Sequence, residues 1–288
     1  MTSERNKKKH FKINWTETII IGLIVLVCGT TAYFVVKNIN MEQADYIVET
    51  NAFFPPFEFY SGQDIKGIDA DIISRVADKL GKKIAIKDVE FDVIIDNVAT
   101  GKIADAGAAG LTITEARKEK VDFSIPYYTS VQYVVYDKNK VNMGDYITWK
   151  EMAGKKLGSQ MGGTGYLFAQ DEVENGELIG ANVELKGFES HQLAADAIKS
   201  GMIDFAIVDE LVAKNMVLKN EEFATVPVYH TGKDGEEDKP TMESYAIAVN
   251  KNRPELLEAF NEVLEEMMKK DENGESEIDR LIINYMGV

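Results

Sequence analysis

The chain has 288 residues, enough for one large or two medium domains, with 45% hydrophobic content, one cysteine and a formal net charge of −16. A single cysteine excludes an internal disulfide, and the acidic balance argues against a nucleic-acid partner, whose phosphates require a basic surface. The histidines His10, His191 and His230 lie far apart and no Cys/His ligand spacing occurs, so the sequence predicts no metal site.

The amino terminus carries a basic segment followed by an apolar one. Between Glu17 and Lys37 the stretch 19–36 is uncharged, and its 18 residues would span about 27 Å as a helix, just enough to cross the hydrocarbon core of a membrane. The basic residues before it keep the amino terminus in the cytoplasm. We therefore expect a cytoplasmic tail at 1–17, a transmembrane anchor at 18–37 and a linker at 38–44, which together predict a single-pass protein of the cell membrane with its main domain on the extracytoplasmic side.

Two other interpretations of this segment stay open. A cleaved signal peptide normally has a shorter apolar region and small residues at the cleavage site, and neither is obvious here. Cys28 could accept a lipid, but Leu26 and Val27 precede it where such signals have small residues.

The exported part begins with a predicted strand at Tyr46–Thr50 and a loop at 51–57. The two prolines of this loop cannot continue a strand ladder, so we expect a rigid loop that displays aromatic side chains. A phenylalanine in such a loop usually belongs to the core, but Phe54 beside Pro55 is poorly placed to be buried from both sides.

The following segments alternate between helix and strand, which predicts an α/β fold. Helical periodicity of apolar residues predicts the helices, glycines mark several of their ends, and short apolar runs predict the strands. The predicted helices lie at 68–80, 93–100, 166–173, 190–200, 211–216, 254–267 and 278–285. The predicted strands lie at 84–89, 106–110, 131–137, 156–159, 201–208, 223–229 and 245–249.

A cluster of small and polar residues follows the predicted strand at 106–110. The small side chains there let another molecule approach the backbone closely, and Thr112 and Thr114 supply hydroxyls where the chain turns into a helix. Arg117 comes one helical turn after Thr114, so its guanidinium can fold back over the same groups and form a fork of donors suited to a carboxylate. The alternative is an ordinary surface arginine on a capped helix.

The second half of the chain repeats this arrangement. A helix, Gly201 and a buried strand lead to Asp209, and polar groups at the carboxyl ends of strands are where open α/β sheets bind ligands. Asp209 taken alone is more often a helix N-cap. The glycine-rich turn 160–165 offers free N–H groups to a carboxylate but lacks the lysine of a phosphate loop, so a nucleotide is not favoured.

These stretches resemble the polar amino-acid solute-binding proteins of ABC importers, which have the type II periplasmic-binding-protein fold. The resemblance runs from about Tyr46 to Gly287 and rests on the segments 54–57, 91–92, 110–128, 160–165 and 207–209. It implies a two-lobed α/β fold with two crossover strands, preceded here by the transmembrane helix. Lobe 1 would comprise 45–130 and 245–288, and lobe 2 would comprise 131–244.

The resemblance also implies roles for individual residues. Arg117, Thr112 and Thr164 would hold the α-carboxylate of the ligand. Asp209 and the carbonyl of Gly110 would hold its α-ammonium, and Phe54 and Phe91 would sandwich its side chain. It implies no cofactor, no metal and no catalytic residue. Asn51 stands where relatives that take cationic amino acids have an aspartate, and Gly163 replaces a hydroxyl residue.

Three classes of function are compatible with this pattern. The first is a binding protein that delivers a free amino acid to the membrane subunits of an ABC permease. The second is an enzyme similar to cyclohexadienyl dehydratases, which would need a carboxylic acid in the cleft, with Glu189, Glu210 and Glu243 as candidates. The third is the sensor part of a receptor. Which amino acid binds would depend on cleft side chains such as Asn51, Gln160 and His191.

Overall fold

The computed structural model describes residues 43–233 and 235–287. The predicted cytoplasmic tail, the predicted anchor and most of the predicted linker lie outside these residues. Among the helices that the structure describes, none is long and apolar enough to cross a membrane.

The described elements include the predicted helices and, in addition to the predicted strands, several short strands that run consecutively. The strands are β1 (Tyr46–Thr50), β2 (Phe53–Phe54), β3 (Glu58–Ser61), β4 (Asp64–Lys66), β5 (Ile84–Asp88), β6 (Ala106–Gly107), β7 (Asp122–Phe123), β8 (Tyr128–Asp137), β9 (Ile147–Thr148), β10 (Lys156–Gln160), β11 (Glu184–Phe188), β12 (Phe205–Asp209), β13 (Phe223–His230), β14 (Lys239–Pro240), β15 (Met242–Tyr245) and β16 (Ala248–Val249). The helices are α1 (Ile68–Leu80), α2 (Ile94–Thr100), α3 (Glu115–Lys120), α4 (Thr164–Glu174), α5 (His191–Ser200), α6 (Glu210–Lys219), α7 (Pro254–Met267) and α8 (Glu277–Met286).

Two sheets form the two lobes of the fold. The first has the strand order β5-β1-β6-β16-β7, with β1 parallel to β5 and β6 and with β16 antiparallel to β6. The second has the order β11-β10-β12-β8-β13-β14, with β10 parallel to β11 and β12. A small three-stranded sheet, β2-β3-β4, lies beside the first. Helices α4, α5 and α6 pack on the second sheet, and α1 packs against α7.

The helices form because their apolar residues recur on one face. In α1 this face is buried, and Gly81 ends the helix with φ 61°, a left-handed conformation that glycine adopts at little cost. In α7, Pro254 occupies the first turn, where backbone N–H groups have no acceptor within the helix, so the N–H that proline lacks is not needed. Each large apolar side chain buried between these helices contributes about 1.5–3 kcal/mol relative to its exposure.

The connection between the two sheets differs from the sequence prediction. A single strand at 245–249 is wrong, because the chain there changes partners: β15 pairs with β8, whereas β16 pairs with β6 and β7 of the first sheet. Strand β8 also starts earlier than predicted, since Tyr128 pairs with Tyr245. The antiparallel pair β8 and β15 therefore occupies the point where the chain passes between the sheets.

Two predicted strands are also longer than the observed ones. The strand predicted at 201–208 begins only at Phe205, because Gly201 is the left-handed C-cap of α5 and the residues after it form a turn. The strand predicted at 106–110 is limited to Ala106 and Gly107. Beyond it the backbone leaves the sheet, with Gly110 at φ 55°. The residues that follow this departure are those that the sequence marked as a candidate site.

Gly67, just before α1, provides a test of the packing of the first lobe. It has φ 126°, and a Cβ atom there would lie 2.2 Å from the carbonyl oxygen of Phe57. Gly67→Ala should lower the free energy of unfolding by about 2 kcal/mol or more, because the strained backbone and the steric overlap add together. Gly62→Ala is the matched control, since its φ is 67° but no atom lies within 4 Å of its Cβ position. Equal losses for the two variants in urea denaturation would contradict the packing argument.

Candidate functional site

A polar pocket lies at the carboxyl ends of strands from both sheets. Its lining residues come from the segments after β1 and β6, from the ends of β10 and β12, and from the first turns of α4 and α5. They are Phe54, Phe91, Gly110, Thr112, Ser159, Gln160, Gly163, Thr164, Gly165, His191 and Asp209. Most of the residues that the resemblance indicated thus line one pocket, and Arg117 bonds to the backbone of Thr112 at its edge.

Arg117 is held in place by backbone groups from both lobes. Thr114 caps α3 by accepting the backbone N–H of Arg117, which fixes the start of the side chain. The guanidinium donates from Nη1 to the carbonyl of Thr112 at 2.7 Å and from Nη2 to the carbonyl of Gly162 at 3.0 Å. The residue is only 8% exposed, and burial lowers the pKa of Arg117. No carboxylate in the described part of the chain forms an ion pair with it. The interpretation of Arg117 as an ordinary surface arginine is therefore wrong.

Asp209 ends β12 on the opposite side of the pocket. It occupies the N-cap position of α6, but its side chain makes no capping hydrogen bond. Instead, Oδ1 accepts from Nε2 of Gln132, and Oδ2 accepts from the hydroxyl of Tyr245. Its carboxylate is buried, and the cations of the described residues form no ion pair with it. The alternative interpretation of Asp209 as an N-cap is therefore correct for its position in the helix, but its side chain does not cap the helix.

Glu243, on β15, is a central group that sequence reasoning named only as a candidate acid. One of its oxygens accepts from the hydroxyls of Thr112 and Thr164, and the other accepts from Gln132. Burial, together with the charge of Asp209, raises the pKa of Glu243 well above its usual range. The strand period of two could have indicated this position, because Glu243 lies on the same face of β15 as the buried Tyr245.

Gln132 is a residue of the site that sequence reasoning missed. It lies on β8, is fully buried, and donates through one nitrogen to both Asp209 and Glu243. Its carbonyl oxygen is buried and has no hydrogen-bond partner in the described part of the chain. The two carboxylates thus orient the amide of Gln132. This amide lies on β8, the strand that passes between the lobes, and it bridges Asp209 and Glu243.

The two sides of the pocket are in direct contact in this structure. The hydroxyls of Thr112 and Thr164 lie 3.3 Å apart, and Nε2 of Gln160 donates to Oδ1 of Asn51 at 2.9 Å. Asn51 also donates to the carbonyl of Val89, so its amide is used on both sides. These contacts, with the bond from Arg117 to Gly162, show that the cleft is shut in this conformation.

The aromatic residues of the pocket are packed more tightly than the sequence suggested. Phe54 is buried despite its place beside Pro55, with its ring centre 5.6 Å from Phe57 and 5.2 Å from His191. A Cβ atom at Gly110 would lie 2.5 Å from the ring of Phe54, which explains why the chain needs glycine there. Phe91 lies under the Arg117 guanidinium at 5.7 Å.

A buried acid supports the pocket from behind. Asp69 accepts the backbone N–H of Gly110 at 2.9 Å and the hydroxyl of Tyr127 at 2.6 Å. Burial raises the pKa of Asp69 to about 6. Burial and the charge of Asp69 also raise the pKa of Glu58, whose two oxygens have no hydrogen-bond partner in the described part of the chain.

Outside the pocket, His230 lies beside Glu172 and Glu177, a grouping that residue spacing did not indicate. Nδ1 of His230 is 3.2 Å from Oε1 of Glu172. Both carboxylates already accept backbone N–H groups, from Glu177 and Thr231 respectively, so the cluster is bonded within the protein itself.

The fold and the pocket together define a two-lobed protein that holds a small polar solute between its lobes. Residues 46–278 match the bacterial extracellular solute-binding proteins, family 3, and the chain belongs to that family.

Named relatives differ in the solute that their names record. The arginine-binding extracellular protein ArtP of Bacillus subtilis (strain 168) is 28% identical over 80% of this chain and 82% of its own. A probable histidine-binding protein of Neisseria gonorrhoeae is 30% identical over 79% of each chain. The L-cystine-binding protein TcyJ of Escherichia coli (strain K12) is 27% identical over 79% of each chain.

Solved structures give the same result for the fold. An ancestral arginine-binding protein bound to arginine is 33% identical, with a TM-score of 0.68, over 83% of this chain and 97% of that chain. The amino acid ABC transporter substrate-binding protein AbpA from Streptococcus pneumoniae, bound to L-arginine, is 27% identical, with a TM-score of 0.71, over 87% and 98%. The predicted two-lobed α/β fold is confirmed.

The raised pKa of Asp69 predicts a pH dependence of stability. Because its pKa rises from the ordinary 3.8 to about 6 on folding, the folded state binds the proton more tightly than the unfolded state. The free energy of unfolding should therefore fall as pH rises through this window, by about 3 kcal/mol in total from this group. Urea denaturation between pH 4 and pH 7 should give a flatter profile for Asp69→Asn than for the wild type. Parallel profiles would mean that Asp69 does not titrate in this range.

Proposed function

We propose that this chain is the amino-acid-binding component of an ABC import system. The main support for this proposal is the charge of the pocket, which has a buried cation, Arg117, on one side and a buried anion, Asp209, on the other. Neither residue forms an ion pair among the described residues. An isolated buried charge is costly, and a zwitterionic amino acid supplies both missing partners at once. The arginine, histidine and cystine named for its relatives are all free amino acids.

The proposed roles follow from this arrangement. Arg117 takes the α-carboxylate through a two-pronged donor set, assisted by Thr112 and Thr164. Asp209 and the carbonyl of Gly110 take the α-ammonium. Phe54 and Phe91 line the remaining space for the ligand side chain, and no cofactor or metal is needed for binding.

The proposed lobes comprise 45–130 with 245–288, and 131–244. Sheet membership supports this division, since β1, β5, β6, β7 and β16 fall in the first and β10 to β14 fall in the second. The crossover strands β8 and β15 join them. Because Arg117 and Asp209 belong to different lobes, a ligand that binds both favours the shut conformation over an open one. The shut, loaded protein would deliver its solute to the membrane subunits of a permease.

One observation favours a second candidate, an enzyme on the same fold. Glu243 is a buried carboxyl beside the pocket with a raised pKa, which is the property that a general acid needs. Its oxygens face hydroxyl and amide donors of the protein. Mass spectrometry of ligand recovered after incubation separates the two candidates, because a binding protein releases its ligand with unchanged mass.

The charge pair predicts the outcome of a binding experiment. Calorimetry of the full-length protein against the twenty amino acids should identify a ligand. Arg117→Ala and Asp209→Ala should each weaken its binding by about 2–5 kcal/mol, because each leaves one ligand charge unpaired in a desolvated site. Lys118→Ala is the matched control, since Lys118 follows Arg117 on the same helix but its side chain is 50% exposed and pairs with Glu115. Wild-type affinity in Arg117→Ala would remove the carboxylate assignment.

We also propose that residues 18–37 anchor the protein in the cell membrane as a single uncleaved pass, with 1–17 inside. The uncharged run and its basic flank support this, and the family is extracellular. Protease treatment of protoplasts should digest the two lobes and spare the amino-terminal tail. Recovery of a mature chain that starts with a lipid-bearing Cys28 would reject the anchor in favour of a lipoprotein.

A further inference from the structure

His191 is a buried polar residue of the pocket that the proposed roles leave unused. It is the first residue of α5, where the hydroxyl of Ser190 accepts the backbone N–H of Leu193 and fixes the start of the helix. The residue is 7% exposed and lines the same pocket as Asp209. Its Nδ1 atom is buried and has no hydrogen-bond partner in the described part of the chain.

The neighbouring polar side chains of the pocket are already bonded. Gln160 donates to Asn51 and to the carbonyl of Glu189. Ser159 donates to the carbonyl of Ile207. Since buried polar atoms are nearly always paired, a buried ring nitrogen without a partner on the wall of a binding pocket indicates a group that the ligand satisfies.

The ring of His191 is also held in one place. It lies 5.2 Å from the ring of Phe54, at an interplanar angle of 38°, and both residues line the pocket. A packed ring with an unpartnered Nδ1 is suited to select among side chains, because little conformational freedom is lost when a hydrogen bond to the ligand forms.

The charge of the surroundings limits which side chains can bind there. Burial lowers the pKa of His191 to about 4, so the imidazole is neutral at physiological pH and cannot offset a negative charge. Asp209 and Glu243 already bring two carboxyl groups to this region. An acidic ligand side chain would add a third, whereas an N–H donor would be matched by a neutral ring nitrogen.

Given the proposed function, on which this rests, we infer that Nδ1 of His191 accepts a hydrogen bond from the side chain of the bound amino acid. The cleft then selects amino acids whose side chains carry N–H groups, namely guanidinium, ammonium, amide or imidazole. Aliphatic side chains are disfavoured because they leave the nitrogen unpaired, and acidic ones are disfavoured because they supply no N–H donor and bring a further negative charge.

The test is calorimetry of the full-length protein with L-arginine, L-glutamine, L-leucine and L-glutamate. The wild type should bind arginine or glutamine at least about 10- to 100-fold more tightly than leucine or glutamate. His191→Phe keeps an aromatic ring against Phe54 but removes the nitrogen, so it should lose about 10- to 100-fold for the preferred ligand and little for leucine. His191→Asn returns a polar atom near the position of Nδ1 and should recover part of the affinity.

The outcomes separate this inference from the proposed function. If the wild type binds no amino acid, the proposed function fails. If it binds arginine or glutamine and His191→Phe binds the same ligand equally well, or if leucine binds the wild type as tightly, only the role of His191 is overturned. If circular dichroism shows that His191→Phe does not fold, the comparison is repeated with His191→Asn and His191→Leu, whose side chains are similar in size. Equal affinities of these two variants for the preferred ligand would also overturn the role of His191.

Discussion

The burial of two opposite charges on facing sides of one cleft is the constraint on which the rest of the structure depends. A guanidinium removed from water without a carboxylate is costly, and Arg117 bears this state because two carbonyl groups accept its N–H donors. Asp209 is likewise held by an amide and a phenol rather than by a cation. Neutral dipoles thus make each buried charge tolerable, and among the described residues neither charge is neutralised by an ion pair.

The strands that connect the lobes also carry the polar network of the pocket. Gln132 lies on β8, and Glu243 and Tyr245 lie on β15, and each bonds to a group at the cleft. Thr112 and Thr164 come from opposite lobes and meet at the same carboxyl oxygen. The approach of the lobes and the hydrogen bonds of the site are therefore determined by the same few side chains.

Sequence reasoning recovered the helices and most of the longer strands because their periodicity is local, but it did not predict the edge strand β11 or the short strands β2, β3, β4, β7, β9 and β14. It also found Arg117 and Asp209, since a capped helix start and a strand end are readable from a few adjacent residues. It missed Gln132 and named Glu243 only as a candidate acid, because their importance comes from contacts between strands more than a hundred positions apart. It underestimated the burial of Phe54, which depends on Tyr245 and His191 from distant segments. The single strand predicted at 245–249 failed for a similar reason, since local pattern cannot reveal a change of partner.

The amide of Gln132 has a consequence for how such a cleft can diversify. Its single nitrogen donates hydrogen bonds to two carboxylates, and Gln132 is also paired with Asp209 in the register of β8 and β12. A replacement there would remove the hydrogen bonds to Asp209 and Glu243 together, so this position is poorly suited to adjusting ligand choice. Residues at loop and helix starts, such as Phe54, Gln160 and His191, lie off that join. New ligand preferences can therefore accumulate at these lining residues of the pocket, while the strands that connect the lobes keep one composition.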